Sequence, residues 1–194
     1  TASGRLLELA RCLDSEAGFV EVVESLARGH AATLDGVWGS SCALVAAALA
    51  NKAPETLVVV CPQIDLVDGL IDDLALFTRF KPERFPALES LDRSAHDEVF
   101  GERLHLLKLL RSRAVPKLVV TSIQSLLQPV PNRENLAKHT RSLRVGDSVV
   151  VAELARWLVE NDFFNTSAVE LSGEFSIRGG IIDIYAPDWD GPVR

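Results

Sequence analysis

The sequence predicts an α/β protein in two parts: a parallel-sheet domain, then a smaller α+β domain with an antiparallel hairpin. Three observations predict it. Two β-branched runs, Thr56-Leu57-Val58-Val59-Val60-Cys61 and Lys117-Leu118-Val119-Val120-Thr121, alternate with segments of helical periodicity, the rhythm of βαβ units. The stretch Pro129-Val130-Pro131-Asn132 breaks that rhythm, as a domain boundary does. Beyond it, Phe175 and Ile177 alternate into Gly179-Gly180, and Ile182 and Ile184 alternate out, which is a hairpin pattern.

Taken in order, Thr1 to Asp14 reads as an amphipathic helix on Leu6, Leu7, Leu9 and Leu13, within an N-terminal helical segment over residues 1–30. Residues 32–37 read as a weak first strand running into the small-residue loop Trp38-Gly39-Ser40-Ser41, with a helix from Ser41 to Asn51. The run at 56–61 has the composition of a strand buried on both faces of a parallel sheet. Pro62 ends it, and Leu66, Leu70, Leu74 and Phe77 follow at helical spacing. Residues 85–89 form a short extended piece, and residues 99–113 a leucine-rich helix with its basic side chains on the outer face. After the strand at 117–121, Ser122 is placed to cap a helix through Leu127. The first domain is thus expected over residues 1–130 and the second over 131–194. In the second, residues 142–146 read as strand and turn, 149–160 as helix, and 168–171 with the hairpin as an antiparallel sheet. The end at Arg194 with no capping element reads as the end of a fragment of a longer protein.

Apolar residues make up 47% of the 194, enough for a packed core. A net charge of −7 argues against a free-standing nucleic-acid binder. The only basic cluster, Arg133, Lys138, His139, Arg141 and Arg144, reads first as a solvated connector. Three cysteines without paired spacing fit a reducing compartment, and the four scattered histidines lack the spacing of a metal site. The longest apolar run falls far short of the roughly 20 residues a membrane helix needs. The composition therefore predicts a soluble, cytoplasmic protein without metal or cofactor.

A phosphate-binding loop requires G-x-x-x-x-G-K-[ST] between strand and helix. Here Gly36-Val37-Trp38-Gly39-Ser40-Ser41-Cys42-Ala43 has the position and the first glycine, but Ser41, Cys42 and Ala43 replace the second glycine, the lysine and the hydroxyl. Without lysine and hydroxyl, the terminal phosphates and their magnesium lose their partners. No nucleophile elbow or carboxylate pair stands out either, so the residues point to binding without catalysis. The pattern of the terminal hairpin fits plain scaffold as well as a site, and its one charged tip residue is Arg178.

Three segments together resemble the N-terminal, UvrB-like region of the bacterial transcription-repair coupling factors (the Mfd family). They are the degenerate loop and helix from Gly36 to Leu49 with the strand after it; Phe85-Pro86-Ala87-Leu88-Glu89-Ser90-Leu91 with Gly101-Glu102-Arg103-Leu104 and the strand and helix Val119-Val120-Thr121 to Leu126-Leu127-Gln128; and Leu143-Arg144-Val145-Gly146 with Gly173-Glu174-Phe175-Ser176-Ile177-Arg178-Gly179-Gly180-Ile181-Ile182-Asp183-Ile184. The last is similar to the family's G-E-F-x-x-R-G-G-I-x-D and is the most specific. UvrB itself is the nearer rival, but it carries the loop lysine and an aromatic-rich DNA-wedging hairpin. Residues 88–115 hold a single aromatic, Phe100.

The resemblance implies a helicase-like first domain that has lost its nucleotide site and a second domain that docks onto UvrA. Contacts with RNA polymerase and DNA, and ATP-driven translocation, belong to later domains of that family. The residues it marks for the partner are Arg178, at the family's hairpin arginine, and Asn165, where relatives often carry arginine in a tyrosine-x-arginine motif. Phe164 is a candidate apolar anchor and Arg156 a flanking contact, while core packing is expected for at least one of Phe163 and Phe164 and for Trp157. The alternative is a residual nucleotide- or DNA-binding domain of a UvrB-type helicase.

Overall fold

The computed structural model describes residues 2–88 and 97–194. In chain order the elements are α1 (Ala2–Cys12), a 3-10 turn (Leu13–Ser15), α2 (Ala17–Ala27), α3 (Ser40–Lys52), β1 (Leu57–Cys61), α4 (Leu66–Phe77), β2 (Pro82–Phe85), α5 (Glu98–Leu109), β3 (Leu118–Ser122), α6 (Ile123–Leu126), α7 (Arg133–Lys138), α8 (Val151–Glu160), β4 (Phe164–Asn165), β5 (Glu174–Arg178) and β6 (Ile181–Tyr185). The chain divides into two compact units. One is Thr1–Ala87 with Lys108–Leu126; the other is Leu88–Leu107 with Leu127–Arg194.

The first unit is built on a parallel sheet of order β1-β3-β2. β3 is its centre, and all five of its residues are buried. The Thr121 hydroxyl donates to the Phe85 carbonyl at 2.8 Å and the Ser122 hydroxyl pairs with that of Ser125 at 2.9 Å, so both polar side chains of this strand are satisfied. On one face, Leu57, Val59, Leu118 and Val120 pack against α3 and α4. Helix α3 can lie close because it presents Ala43, Ala46, Ala47 and Ala50 inward. Leu74 and Phe77 of α4 and Phe19 of α2 complete this core, each fully buried apolar side chain stabilising it by roughly 1.5–3 kcal/mol. Ser122 caps α6 as expected, its Oγ accepting from the Ser125 amide at 3.2 Å.

Three readings of this unit are corrected. Residues 32–37 form no strand: the chain turns at Asp35-Gly36, with Gly36 at φ 75°, and Leu34 is exposed. Few β-formers stand there, and a residue in the left-handed region cannot continue a pleated strand. β1, read as buried on both faces, is an edge strand, and Val58 (49%) and Val60 (42%) are exposed on the face turned away from α3. The extended piece at residues 85–89 begins earlier, as β2, and Glu89, Ser90 and Leu91 lie outside the described residues.

The second unit centres on a sheet of order β4-β5-β6. β5 and β6 are antiparallel, with Phe175 opposite Ile184, Ile177 opposite Ile182 and Arg178 opposite Ile181. Gly179, at φ 62°, takes the first turn position, where a tight two-residue hairpin loop needs a positive φ. Phe175 packs with Leu154 and Leu158 of α8, and Phe163, Ile177, Ile182 and Ile184 surround them. α8 ends in a Schellman motif. Phe163 N–H donates to Leu158 C=O at 3.0 Å and Asp162 N–H to Val159 C=O at 3.2 Å, while Asp162 sits at φ 63°. The motif delivers Phe163 onto Leu158, the contact that accompanies such caps.

Here too the structure revises the sequence reading. Residues 142–146 hold a turn, closed by the Asp147 amide donating to the Arg144 carbonyl at 3.0 Å, and no strand. Residues 168–171 are not extended into the sheet, because the Glu174 carboxylate draws the Glu170 and Leu171 amides into a turn at 2.8 and 2.9 Å. The third strand is instead β4, parallel to β5, with Phe164 beside Glu174 and Asn165 beside Phe175. Arg103, read as part of the outer face of its helix, is buried, with Nη1 at 3.5 Å from Gln128 Oε1. The Gln128 amide also bonds both ways to the Leu88 backbone, at 2.7 and 2.9 Å. Gly101 lets α5 meet the Pro187 carbonyl, where a Cβ would overlap it. The last residues return to the sheet, Val193 bridging to Ile184.

Candidate functional site

Alternation sorts the second sheet into two faces. Phe175, Ile177, Ile182 and Ile184 point to the core. Glu174, Ser176 and Arg178 of β5, with Ile181, Asp183 and Tyr185 of β6, therefore occupy the other face. Register places Phe164 on this outer face too, beside Glu174. Phe164 is 54% exposed, whereas its neighbour Phe163 is packed into the core. The expected split between the two phenylalanines is thus resolved by one residue of strand alternation.

Arg178 is exposed at the end of β5, next to the glycine turn. Its guanidinium donates to the Ser167 carbonyl, which fixes the side chain along the sheet edge. Asp183, on the same face, accepts from Arg194 Nε at 2.8 Å and Nη2 at 3.1 Å. These bonds hold the Asp183 carboxyl below the usual carboxylate range; partial desolvation opposes the shift, and the charges of Arg194 and Arg178 reinforce it. The Arg194 guanidinium is correspondingly held more firmly charged. The outer face therefore carries a fixed cation, a neutralised ion pair and an exposed aromatic ring. That is the equipment of a protein-docking surface, in which arginines and aromatics are frequent anchors.

The other two marked residues do not join this cluster. Asn165 registers with Phe175, which puts it on the opposite face from Arg178, and it is exposed. Arg156 stands two residues from both Leu154 and Leu158, on the solvent side of α8, and makes no hydrogen bond or ion pair among the described residues. Trp157 is half-buried against the core. The Asp183–Arg194 pair escapes sequence inspection, since only the alternation around Asp183 hints at its face.

The loop before α3 keeps its glycines in positive φ, Gly36 at 75° and Gly39 at 57°. Its amides are already used: Ser41 N–H donates to Trp38 C=O at 3.3 Å and Cys42 N–H to Gly39 C=O at 3.0 Å. The Cys42 thiol is turned to the Val37 carbonyl at 3.7 Å, and Ala43 is buried. Burial, and secondarily the neighbouring Cys42, raises the Cys61 thiol above its ordinary range, so Cys61 behaves as an inert core group. Among the described residues no three His, Cys, Asp or Glu side chains gather so as to hold a metal ion. No described helix is long and apolar enough to cross a membrane.

The UvrB interaction domain family matches residues 142–194, the stretch that contains α8, the sheet and its outer face. The transcription-repair-coupling factor of Mycobacterium tuberculosis is 34% identical over 160 residues, 78% of this chain and 13% of that protein. That of Myxococcus xanthus is 30% identical over 190 residues, 91% of this chain and 16% of its own length. The UvrABC system protein B of Thermotoga petrophila is 25% identical over 199 residues, covering 93% of this chain and 30% of that protein. The chain thus spans a small part of the length of the relatives it matches. The chain belongs to the transcription-repair-coupling factor family, and its residues 142–194 match the UvrB interaction domain.

Proposed function

We propose that this chain is a non-catalytic docking module that recruits UvrA in transcription-coupled nucleotide excision repair, through the outer face of the β5–β6 hairpin. The observation that carries the reading is Arg178, exposed and braced on the Ser167 carbonyl, within the residues matched by the UvrB interaction domain. A braced arginine loses little side-chain entropy on pairing with a partner carboxylate, and its planar fork favours two parallel bonds. Phe164 adds apolar area on the same face, whereas Arg156 on α8 and Asn165 on the opposite face would be reached only by a partner that wraps around the sheet edge. The first unit serves as a helicase-like scaffold whose degenerate phosphate loop no longer engages nucleotide. RNA polymerase and DNA are engaged by other segments of a longer, ATP-driven translocase, and the module works in the cytoplasm with the repair machinery.

Titrating purified UvrA against the chain tests this. Arg178→Glu is expected to weaken binding by at least about tenfold, near 1.4 kcal/mol, with an unchanged circular-dichroism spectrum. Equal affinity of a folded Arg178→Glu variant would assign UvrA binding to another surface.

A further inference from the structure

The edge of the first sheet that would face a phosphate has a different character, and it is not used by the docking reading above. Helix α3 runs back along the sheet into β1 through residues 53–56, so its start lies at the C-terminal end of β1. β3 is parallel to β1 with Ser122 beside Cys61. The segments at residues 34–39 and 62–66 and the short helix α6 therefore converge on one edge, and the Gln124 side-chain amide of α6 donates to the Pro62 carbonyl at 3.4 Å. In open α/β sheets this carboxyl edge is where ligands bind.

What the loops present there is apolar. Trp38 is 77% exposed in the first of these segments, Ile64 and Leu66 are exposed in the second, and Ile123 and Leu126 in the third. Single exposed apolar residues are ordinary, but five on one edge, one of them an unsheltered indole, mark an interaction surface. The charged side chains in the loops at residues 34–39 and 62–66 are acidic. Residues 31–51, 57–78 and 118–132 contain no lysine or arginine, while Asp35 and Asp65 stand in the loops. Asp68 follows them and pairs with Arg84 at 3.5 Å. The loop amides at Ser41 and Cys42 are occupied by the Trp38 and Gly39 carbonyls. An anion is thus repelled where a phosphate would otherwise sit, and a cation is attracted.

We propose that this edge is a docking site for a basic amphipathic segment of a partner protein. The segment lays its apolar side on Leu66, Ile123 and Leu126 and sets a lysine or arginine over the face of Trp38 and against Asp35 and Asp65. The assignment of the occupant rests on charge complementarity, and a basic side chain over an exposed indole gains a cation–π contact as well.

The probe is a synthetic Leu/Lys amphipathic peptide of about five helical turns, titrated calorimetrically into the 194-residue chain, with a Leu/Glu peptide of the same pattern and a scrambled Leu/Lys peptide as controls. Saturable binding is expected for the amphipathic basic peptide alone. Trp38→Ala and Ile123→Lys should each weaken it by at least about tenfold, with melting temperatures unchanged because both side chains are exposed. Val159→Lys, an exposed apolar site on α8, should leave it unaltered. Equal binding of the Leu/Glu or scrambled peptide, or indifference to both rim variants, overturns the proposal. So does a dimer in sedimentation that Ile123→Lys dissolves, which would give the edge to a second copy of the chain.

Discussion

Asp183 of β6 is gripped by Arg194 through both Nε and Nη2, at 2.8 and 3.1 Å. Beside it Val193 bridges to Ile184, so the last residues are held by backbone and side chain together. The Asp183 carboxyl is held below its usual range by these bonds, with the Arg178 charge contributing less. A carboxyl with a depressed folded pKa stabilises fully above its unfolded value and loses that contribution as pH falls through the folded one. The melting temperature of the chain should therefore fall on acidification below about pH 4, the ordinary carboxylate range. In Asp183→Asn that acid limb should be shallower; an unchanged limb would show that the pair is not linked to folding.

Phe163 and Phe164 should separate stability from binding. Phe163 packs beside Leu158 as the apolar partner of the α8 cap, so Phe163→Ala should cost about 2–4 kcal/mol in denaturant unfolding, slightly less than a fully buried phenylalanine. Phe164 is 54% exposed, and Phe164→Ala should stay within about 0.5 kcal/mol of the parent. Its effect should appear in UvrA affinity, as a loss of about 1 kcal/mol or more for an aromatic anchor. A Phe164→Ala variant that unfolds readily and binds normally would reverse the two roles.

How far these features could be read in advance depends on which of them are local. The hairpin was legible because the alternation about Phe175, Ile177, Ile182 and Ile184 and the glycine turn lie within one short stretch. β1 and β3 share nearly the same β-branched composition, and nothing local says that β3 is central while β1 is the edge with Val58 and Val60 uncovered. Burial on the second face is set by strand order, a property of the whole chain. β4 is two residues long, and its pairing is fixed by Gly173 and Phe175 carbonyls accepting from Phe164 and Thr166. The apparent strand at residues 168–171 lost to a side-chain–backbone competitor, the Glu174 carboxylate. Arg178 was visible from its place at the turn, but Arg194 reaches Asp183 only because the intervening residues fold back.

The C-terminal cap of α8 carries a correctable cost. Asp162 adopts φ 63°, the left-handed conformation that glycine takes without steric penalty and that helix ends of this type usually assign to glycine. Asp162→Gly should raise the unfolding free energy by about 0.5–1 kcal/mol, the relief of the strained backbone outweighing the extra flexibility of the unfolded chain. Asp162→Val should do the reverse, because a β-branched residue is poorly tolerated at positive φ. Chemical denaturation of the three proteins orders them: Gly above Asp above Val. Any other order would mean that the Asp162 side chain contributes more than its backbone conformation costs.

The loop before α3 yields the last expectation, which bears on whether any nucleotide site survives. A bound nucleotide stabilises only the folded state, by about 2.7 kcal/mol when present at a hundredfold excess over its dissociation constant. For a chain of this size that would raise the melting temperature by roughly 5–10 °C. The loop offers Cys42, with its thiol turned to Val37 C=O, where a lysine would be needed, and the buried Ala43 where a magnesium-binding hydroxyl would be needed. Its first amides already donate within the loop, and Asp35 adds a charge of the wrong sign. Millimolar magnesium-ATP should therefore leave the melting curve in place to within about 1 °C, far below the shift that mass action requires of a bound ligand. A saturable rise would instead restore the residual nucleotide-binding reading, and loss of that rise in Ser41→Asp would locate it at the start of α3, where added negative charge opposes a phosphate.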